Sequence, residues 1–355
     1  MRRESEFNNY LAGDLDYILI HTQGLWEELR GKRLFITGGT GFFGRWLLES
    51  FALANKKFNL NASVCVLTRD YNAFKTKAPN LADNQAINFH IGDVRNFDFP
   101  EGEFTHIIHA AATSAIATFN NEDLLATFDI VVGGTRRALD FAAKCGAKKF
   151  LFTSSGVVYG KQPPDMVHIS EDYIGAPEPT NVSIALGESK RVAEFLCAYY
   201  SNKHGIETKI ARCFSFVGPY LPLDIHYAIG NFIRDGLNGG PIQVNGDGTP
   251  QRSYLYAADL IIWLWTIFLK GASCRAYNVG SEEDVTISEL ARIVARNFND
   301  MEVKIAKSPK LNAFPERYVP STKRAQQELG LKQSINLEEA IKKTLLYYDR
   351  MRLTK

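Results

Sequence analysis

Three glycines, Gly38, Gly41 and Gly44, recur at three-residue intervals in the run Leu34-Phe35-Ile36-Thr37-Gly38-Gly39-Thr40-Gly41-Phe42-Phe43-Gly44. An apolar stretch leads into them, and helical apolar spacing leads out through Phe43, Trp46, Leu47 and Phe51. Between a strand and a helix each glycine has its own work. The first permits a tight turn, the second lets backbone approach a pyrophosphate, and the third lets the helix press on the strand. The open N–H groups and positive dipole end of the helix then face the phosphates. A second strand, Ala62-Ser63-Val64-Cys65-Val66-Leu67, completes a βαβ unit of about 30 residues. The chemistry such a unit could do is to hold a dinucleotide. At the tip of its second strand an acidic residue would take the ribose 2′-OH of NAD, and an arginine the 2′-phosphate of NADP. Arg69 stands at that tip and Asp70 one step later, so the order points to NADP ahead of NAD.

The elements that must position this turn follow along the chain. Strand-like runs end at His90-Ile91-Gly92-Asp93-Val94, at Ile107-Ile108-His109-Ala110-Ala111-Ala112, at Phe150-Leu151-Phe152-Thr153-Ser154-Ser155 and at Cys213-Phe214. Helical patterns lie between them, at Leu124 to Cys145 and at Ala185 to His204. In the second helix Val192, Phe195, Leu196 and Tyr199 read as one buried face. Strands alternating with helices predict an α/β fold with a doubly wound parallel sheet. Residues 1–30 read as a helical N-terminal extension, and residues 31–218 with about 254–285 as the dinucleotide-binding domain. Residues of about 219–253 and 286–355 read as a smaller C-terminal α/β substrate lobe.

Bulk properties exclude several classes of protein. Across 355 residues the net charge is only +2, which suggests neither a nucleic-acid nor a membrane partner. The five cysteines are scattered without metal-type pairs, so no metal site is expected, and they read as reduced thiols. Met1-Arg2-Arg3 is basic, but no long apolar run follows, and a cytoplasmic location is expected. The apolar run Leu260 to Leu269 is too short to span a bilayer and reads as a buried helix.

Beyond the glycine turn, a series of motifs appears in order. They are Gly92-Asp93-Val94, His109-Ala110-Ala111-Ala112, Ser154-Ser155-Gly156-Val157-Val158-Tyr159-Gly160, Gly187-Glu188-Ser189-Lys190, Gly218-Pro219 and Gly246-Asp247-Gly248-Thr249-Pro250-Gln251-Arg252-Ser253. This order, over about residues 31–345, resembles the extended short-chain dehydrogenase/reductases, specifically the NAD-dependent epimerase/dehydratase family acting on nucleotide sugars. The resemblance implies a Rossmann domain binding NADP or NAD and a lobe binding a nucleoside diphosphate sugar. It places Gly38, Thr40, Gly41, Phe42, Phe43, Gly44, Arg69, Asp93, Val94, Ala110, Ala111 and Lys190 at the cofactor. It places Thr113, Ser154, Ser155, Ser215, Arg252 and Arg317 at the substrate, with the two arginines on the pyrophosphate. It also implies a homodimer formed through the Leu124–Cys145 and Ala185–His204 helices.

In enzymes of this family a Ser or Thr, a Tyr and a Lys share the proton that accompanies hydride exchange at a sugar carbon. Ser155 and Lys190 match the first and last positions, but Leu186 stands where the tyrosine of Y-x-x-x-K is expected. Leucine carries no proton, and general acid–base catalysis contributes typically ~10²–10⁴-fold. Gly156 and Val157 occupy the positions of the dehydratases' Asp-Glu pair, which disfavours water elimination. Ser215 stands where the family often has Asn. The resemblance therefore implies an NAD(P)-dependent 4-ketoreductase or 4-epimerase lineage with three possible states. Another group such as Ser155, Tyr159 or a water carries the proton, or Leu186 has inactivated the enzyme, or the chain only binds NADP(H) or a nucleotide sugar.

Overall fold

The computed structural model describes residues 11–112, 123–225, 227–309 and 314–353; Thr113 lies outside them. Seven parallel strands form the central sheet: β1 (Arg33–Thr37), β2 (Ser63–Thr68), β3 (Ile87–Ile91), β4 (His106–His109), β5 (Lys149–Ser155), β6 (Glu207–Cys213) and β7 (Arg275–Val279). Their order across the sheet is β7-β6-β5-β4-β1-β2-β3, and every pairing is parallel. β1, β2 and β5 are buried along nearly their whole length, as a parallel sheet covered on both faces requires. The winding reverses between β1 and β4, which opens a crevice beyond their carboxyl ends.

One face of the sheet carries α1 (Ala12–His21), α2 (Phe42–Lys57) and α5 (Ala257–Lys270); the other carries α3 (Leu124–Lys144) and α4 (Ala185–His204). α5 is buried at every residue from Ala257 to Leu269, so its apolar run is core. Residues 11–30 of the N-terminal extension are part of that core as well. Leu15, Ile18, Trp26 and Leu29 join the same cluster, and Trp26 packs on Trp265 with ring centroids 4.9 Å apart. Asp14 accepts from the Tyr256 hydroxyl at 2.6 Å and from Lys343 at 3.0 Å. Lys343 lies on α6 (Leu337–Leu353), which ties both ends of the chain to α5.

The α4 face is a correction in part to the sequence reading: Leu196 packs against the core, but the two rings do not. Phe195 is 65% exposed and Tyr199 47% exposed; Gly187, Ala193, Cys197 and Tyr200 face the protein instead. Gly187, Ala193 and Cys197 on the inner stripe let α4 sit close to the protein, while Phe195 and Tyr199 turn outward.

The smaller lobe holds a three-stranded sheet in which Gln251–Ser253 lies between Asp284–Thr286 and Arg317–Tyr318. The helix Ile287–Arg296 starts on a capping box formed by Thr286 and Glu289, which satisfies two of its open N–H groups.

Candidate active site

The glycine turn is shaped by close approach. Gly38 has φ +72°, and a Cβ there would lie 2.5 Å from the Ala110 carbonyl. A Cβ on Gly44 would lie 2.3 Å from the Gly38 oxygen, so the turn and α2 touch without side chains between them. Gly41 is different: it is exposed, it caps α2 without a side-chain hydrogen bond, and a Cβ there would meet only the Gly38 oxygen at 3.5 Å. The first N–H groups of α2 therefore open onto unfilled space, which fits a pyrophosphate. Phe43 leaves the turn sideways and packs edge-on against Phe216 at 5.2 Å.

β1 and β4 are tied at the crevice. Thr37 Oγ1 lies 2.7 Å from His109 Nδ1 and accepts the Ala111 N–H at 3.2 Å. His109 Nε2 lies 3.0 Å from Thr135 Oγ1 on α3. Burial, aided by the Lys190 charge, pushes the His109 pKa down to about 3, so the ring is neutral and serves as a strut. This brings Gly38, Ala110 and Ala111 together as the sequence led one to expect. Val94 is seated by another glycine: a Cβ on Gly134 of α3 would lie 2.9 Å from Val94 Cγ1.

At the rim, Asp70 accepts the Ala73 N–H at 2.9 Å and caps the helix Tyr71–Lys77, while Arg69 stays exposed. Asp93 is held by Arg95 at 2.8 Å, and that guanidinium keeps its carboxyl below the usual range. A nicotinamide dinucleotide bound along this edge would supply hydride exchange, with the glycine turn, Arg69, Ala110 and Ala111 as its bed.

Ser155 ends β5, and its hydroxyl accepts the Val157 N–H at 3.4 Å. Lys190, one turn into α4, is buried, and its ammonium donates to the Thr153 carbonyl at 2.7 Å above the Phe152 ring. Burial pulls its pKa down to about 8. Leu186 is half-buried and packs on the apolar cluster that includes Phe152. Ser154 is not with Ser155: it donates to Glu194 at 2.6 Å, away from the crevice. Glu194 pairs with Arg212 at 2.6 Å, Arg212 donates to the Tyr159 oxygen at 2.9 Å, and Tyr159 donates to Asn278 at 2.8 Å. Burial pushes the Tyr159 phenol up to about 12. With both sides of its hydroxyl engaged in this network, Tyr159 is a structural residue.

The two substrate arginines are not brought together. Arg252 pairs in register with Tyr318, and Arg317 with Gln251, so the pleat sends the arginines to opposite faces of the small sheet. Arg252 meets Glu316 at 2.5 Å, and Arg317 meets Asp284 at 3.6 Å. Ser215 contributes its carbonyl to the Leu255 N–H at 3.0 Å.

One residue absent from the sequence reading stands at the centre. The Tyr318 hydroxyl lies 3.3 Å from Ser155 Oγ and 3.5 Å from the Cys213 carbonyl. Its ring packs at a tilt against Phe214 with centroids 4.7 Å apart. Phe214 in turn occupies the space where a side chain on Gly156 would begin, 2.6 Å from the built Cβ. Gly156 was the available signal: a glycine directly after the site hydroxyl leaves room for a ring from elsewhere.

A glycine-turn crevice on a seven-stranded parallel sheet is the architecture of the doubly wound α/β class. The chain belongs to the NAD dependent epimerase/dehydratase family, whose family model matches residues 34–280. UDP-glucuronic acid decarboxylase 6 of Arabidopsis thaliana is 30% identical over 313 residues, 87% of this chain and 86% of that protein. UDP-glucuronic acid decarboxylase 1 of Danio rerio is 28% identical over 324 residues, 91% of this chain and 74% of that protein. Among solved structures, UDP-glucose 4-epimerase of Thermotoga maritima with UDP-glucose has a TM-score of 0.75 at 20% identity, covering 90% of this chain and 99% of that one. UDP-glucuronic acid 4-epimerase of Bacillus cereus, in complex with UDP-glucuronic acid and NAD, has a TM-score of 0.75 at 21% identity, with the same coverage. At these identities the solved structures carry the fold.

Proposed function

We propose that the protein is an NAD(P)-dependent nucleotide-sugar oxidoreductase of the 4-ketoreductase or 4-epimerase type, with Leu186 at the position of the usual catalytic tyrosine. The observation that carries the proposal is the convergence of the glycine turn, Ala110 and Ser155 on one crevice at the carboxyl ends of β1, β4 and β5. Hydride exchange needs a dinucleotide and a sugar carbon face to face, and a hydroxyl beside the sugar oxygen orients it. Gly156 and Val157 carry no acid or base, which supports reduction or epimerisation over elimination. The exposed Arg69, with Asp70 engaged in its helix cap, favours NADP over NAD. Arg252, on the Tyr318 side of the small sheet, with Ser215 and Thr113, is proposed to meet the nucleoside diphosphate sugar; Arg317, on the opposite face, is not. A cytoplasmic homodimer completes the proposal, supported by five free cysteines and by the outward-facing rings of α4.

A thermal-shift screen tests it. NAD, NADP, UDP-glucose, UDP-glucuronic acid and dTDP- and GDP-sugars are added singly and in pairs, since a ligand bound only by the folded state raises the melting temperature. UDP-glucuronic acid is on the panel because the decarboxylase relatives and the Bacillus cereus structure name it. A dinucleotide and a nucleotide sugar should each shift the transition, and absence of both shifts removes the proposal.

One observation favours a second reading, a binder without turnover: Lys190 is turned onto the Thr153 carbonyl and Leu186 offers no phenol. Ligand shifts without any change in nicotinamide absorbance across the panel would favour it.

A further inference from the structure

We propose that Tyr318 supplies the phenol that Leu186 lacks and moves the proton at the sugar C4 oxygen. The proposal rests on the oxidoreductase reading above and deepens it. Tyr318 comes from the smaller lobe, 163 residues along the chain from Ser155, yet its hydroxyl is 3.3 Å from the Ser155 hydroxyl. That separation is beyond the usual range for an O–H···O hydrogen bond, so the contact is weak and open to exchange. A carbonyl oxygen arriving beside both hydroxyls gains two donors in place of one long bond.

The phenol is held in place by its surroundings. Its ring packs at a tilt on Phe214 at 4.7 Å, Phe214 lies over Gly156, and the Arg252 guanidinium is 5.9 Å from the Tyr318 ring centroid. A guanidinium at that distance favours the phenolate left after proton transfer. The other candidates are committed elsewhere. Tyr159 is locked between Arg212 and Asn278, and the Lys190 ammonium is turned to Thr153.

The step balances as a ketone reduction. The hydride would come from a bound reduced nicotinamide, which would give up two electrons as the C4 carbonyl is reduced. The carbonyl oxygen, which gains the negative charge, takes the proton of Tyr318 Oη. The O–H bond of Tyr318 breaks and its electron pair stays on the phenolate. Water returns the proton, with Ser155 Oγ as the neighbouring relay. Burial holds the Tyr318 phenol well above its ordinary value, so the resting group is the protonated donor. A donor that rests protonated suits reduction of a 4-keto sugar better than oxidation of an alcohol.

Four proteins test this: the unaltered chain, Tyr318→Phe, Leu186→Tyr, and both substitutions together. UDP-4-keto-6-deoxyglucose is the probe, with NADH and NADPH in parallel. Single-turnover oxidation of the nicotinamide and ligand-induced thermal shift are both read. Tyr318→Phe keeps the ring on Phe214, so the ligand shifts should persist while the hydride-transfer rate falls by ~10²–10⁴. Adding Leu186→Tyr should recover at least about tenfold of that loss, because a phenol returns beside Lys190. Gly156→Ala gives an independent arm that leaves Tyr318 itself intact. It crowds Phe214, and the rate should fall while dinucleotide shifts stay unchanged. A Tyr318→Phe rate within about threefold of the unaltered protein overturns the proposal. So does an unaltered protein that binds both ligands without turnover and gains it only with Leu186→Tyr; the oxidoreductase fold and site then stand and Tyr318 does not. Absence of any ligand shift removes the oxidoreductase reading itself, and this proposal with it.

Discussion

At the scale of single residues, the site is a set of local commitments. Asp70 is bound to its helix cap and Arg69 is exposed beside it. NADP should therefore bind more tightly than NAD, and Arg69→Ala should erase the difference, with a loss of about 1.5–3 kcal/mol for the charged hydrogen bonds. Titration calorimetry with both dinucleotides measures it; tighter NAD binding by the unaltered protein counts against Arg69. Lys190 gives a pH signature in the ligand-free protein. Burial lowers its pKa to about 8, below the roughly 10.4 of a free lysine. Between these values the unfolded chain holds more protons, so stability rises with pH from about 8 to about 10 and is lost again as pH falls through about 8. Lys190→Met should flatten this rise, by up to ~3 kcal/mol in urea titrations at the two ends of the window. Gly38, Gly41 and Gly44 were legible in the sequence because a strand–turn–helix fixes their geometry within a few residues. Tyr318 was not legible: nothing near it in sequence states that it meets Ser155, and only the folded small lobe brings them together.

At the scale of elements, the parallel sheet was readable from apolar strands alternating with helical stretches, and its strand ends fall where the motifs put them. Facing was harder to read. The α4 pattern Val192, Phe195, Leu196, Tyr199 has helical spacing, but spacing does not say which stripe meets the sheet. The small residues Gly187, Ala193 and Cys197 took the inner position because they permit close approach. Arg252 and Arg317 carried the same ambiguity, since facing within a small sheet depends on register between distant segments. The outward rings have a use. α3 and α4 pack side by side, and Leu125 at 76%, Phe195 at 65% and Tyr199 at 47% exposure leave large apolar groups on their outer surface. A two-fold dimer that covers them is expected. Light scattering at micromolar concentration should give a dimer for the unaltered chain and a monomer for Phe195→Glu; a monomer in both cases removes the idea.

At the scale of the whole molecule, residues 11–30 of the N-terminal extension are core rather than appendage. Trp26 is 2% exposed, rests on Trp265 and donates its indole N–H to Thr22 at 2.9 Å. Trp26→Ala should cost about 3–5 kcal/mol, as for other buried large-to-small changes, read as a lower urea midpoint. All four tryptophans, Trp26, Trp46, Trp263 and Trp265, are buried in the cluster on the α1, α2 and α5 face. The chain thus carries its indoles on one side of the sheet, and α2 joins that side directly to the glycine turn. A dihydronicotinamide absorbs light where buried indoles emit. Excitation energy from the four rings should pass to a reduced dinucleotide seated on the turn and dim their fluorescence in proportion to occupancy. A reduced dinucleotide bound there would thus be gauged optically from within, before any sugar has been identified.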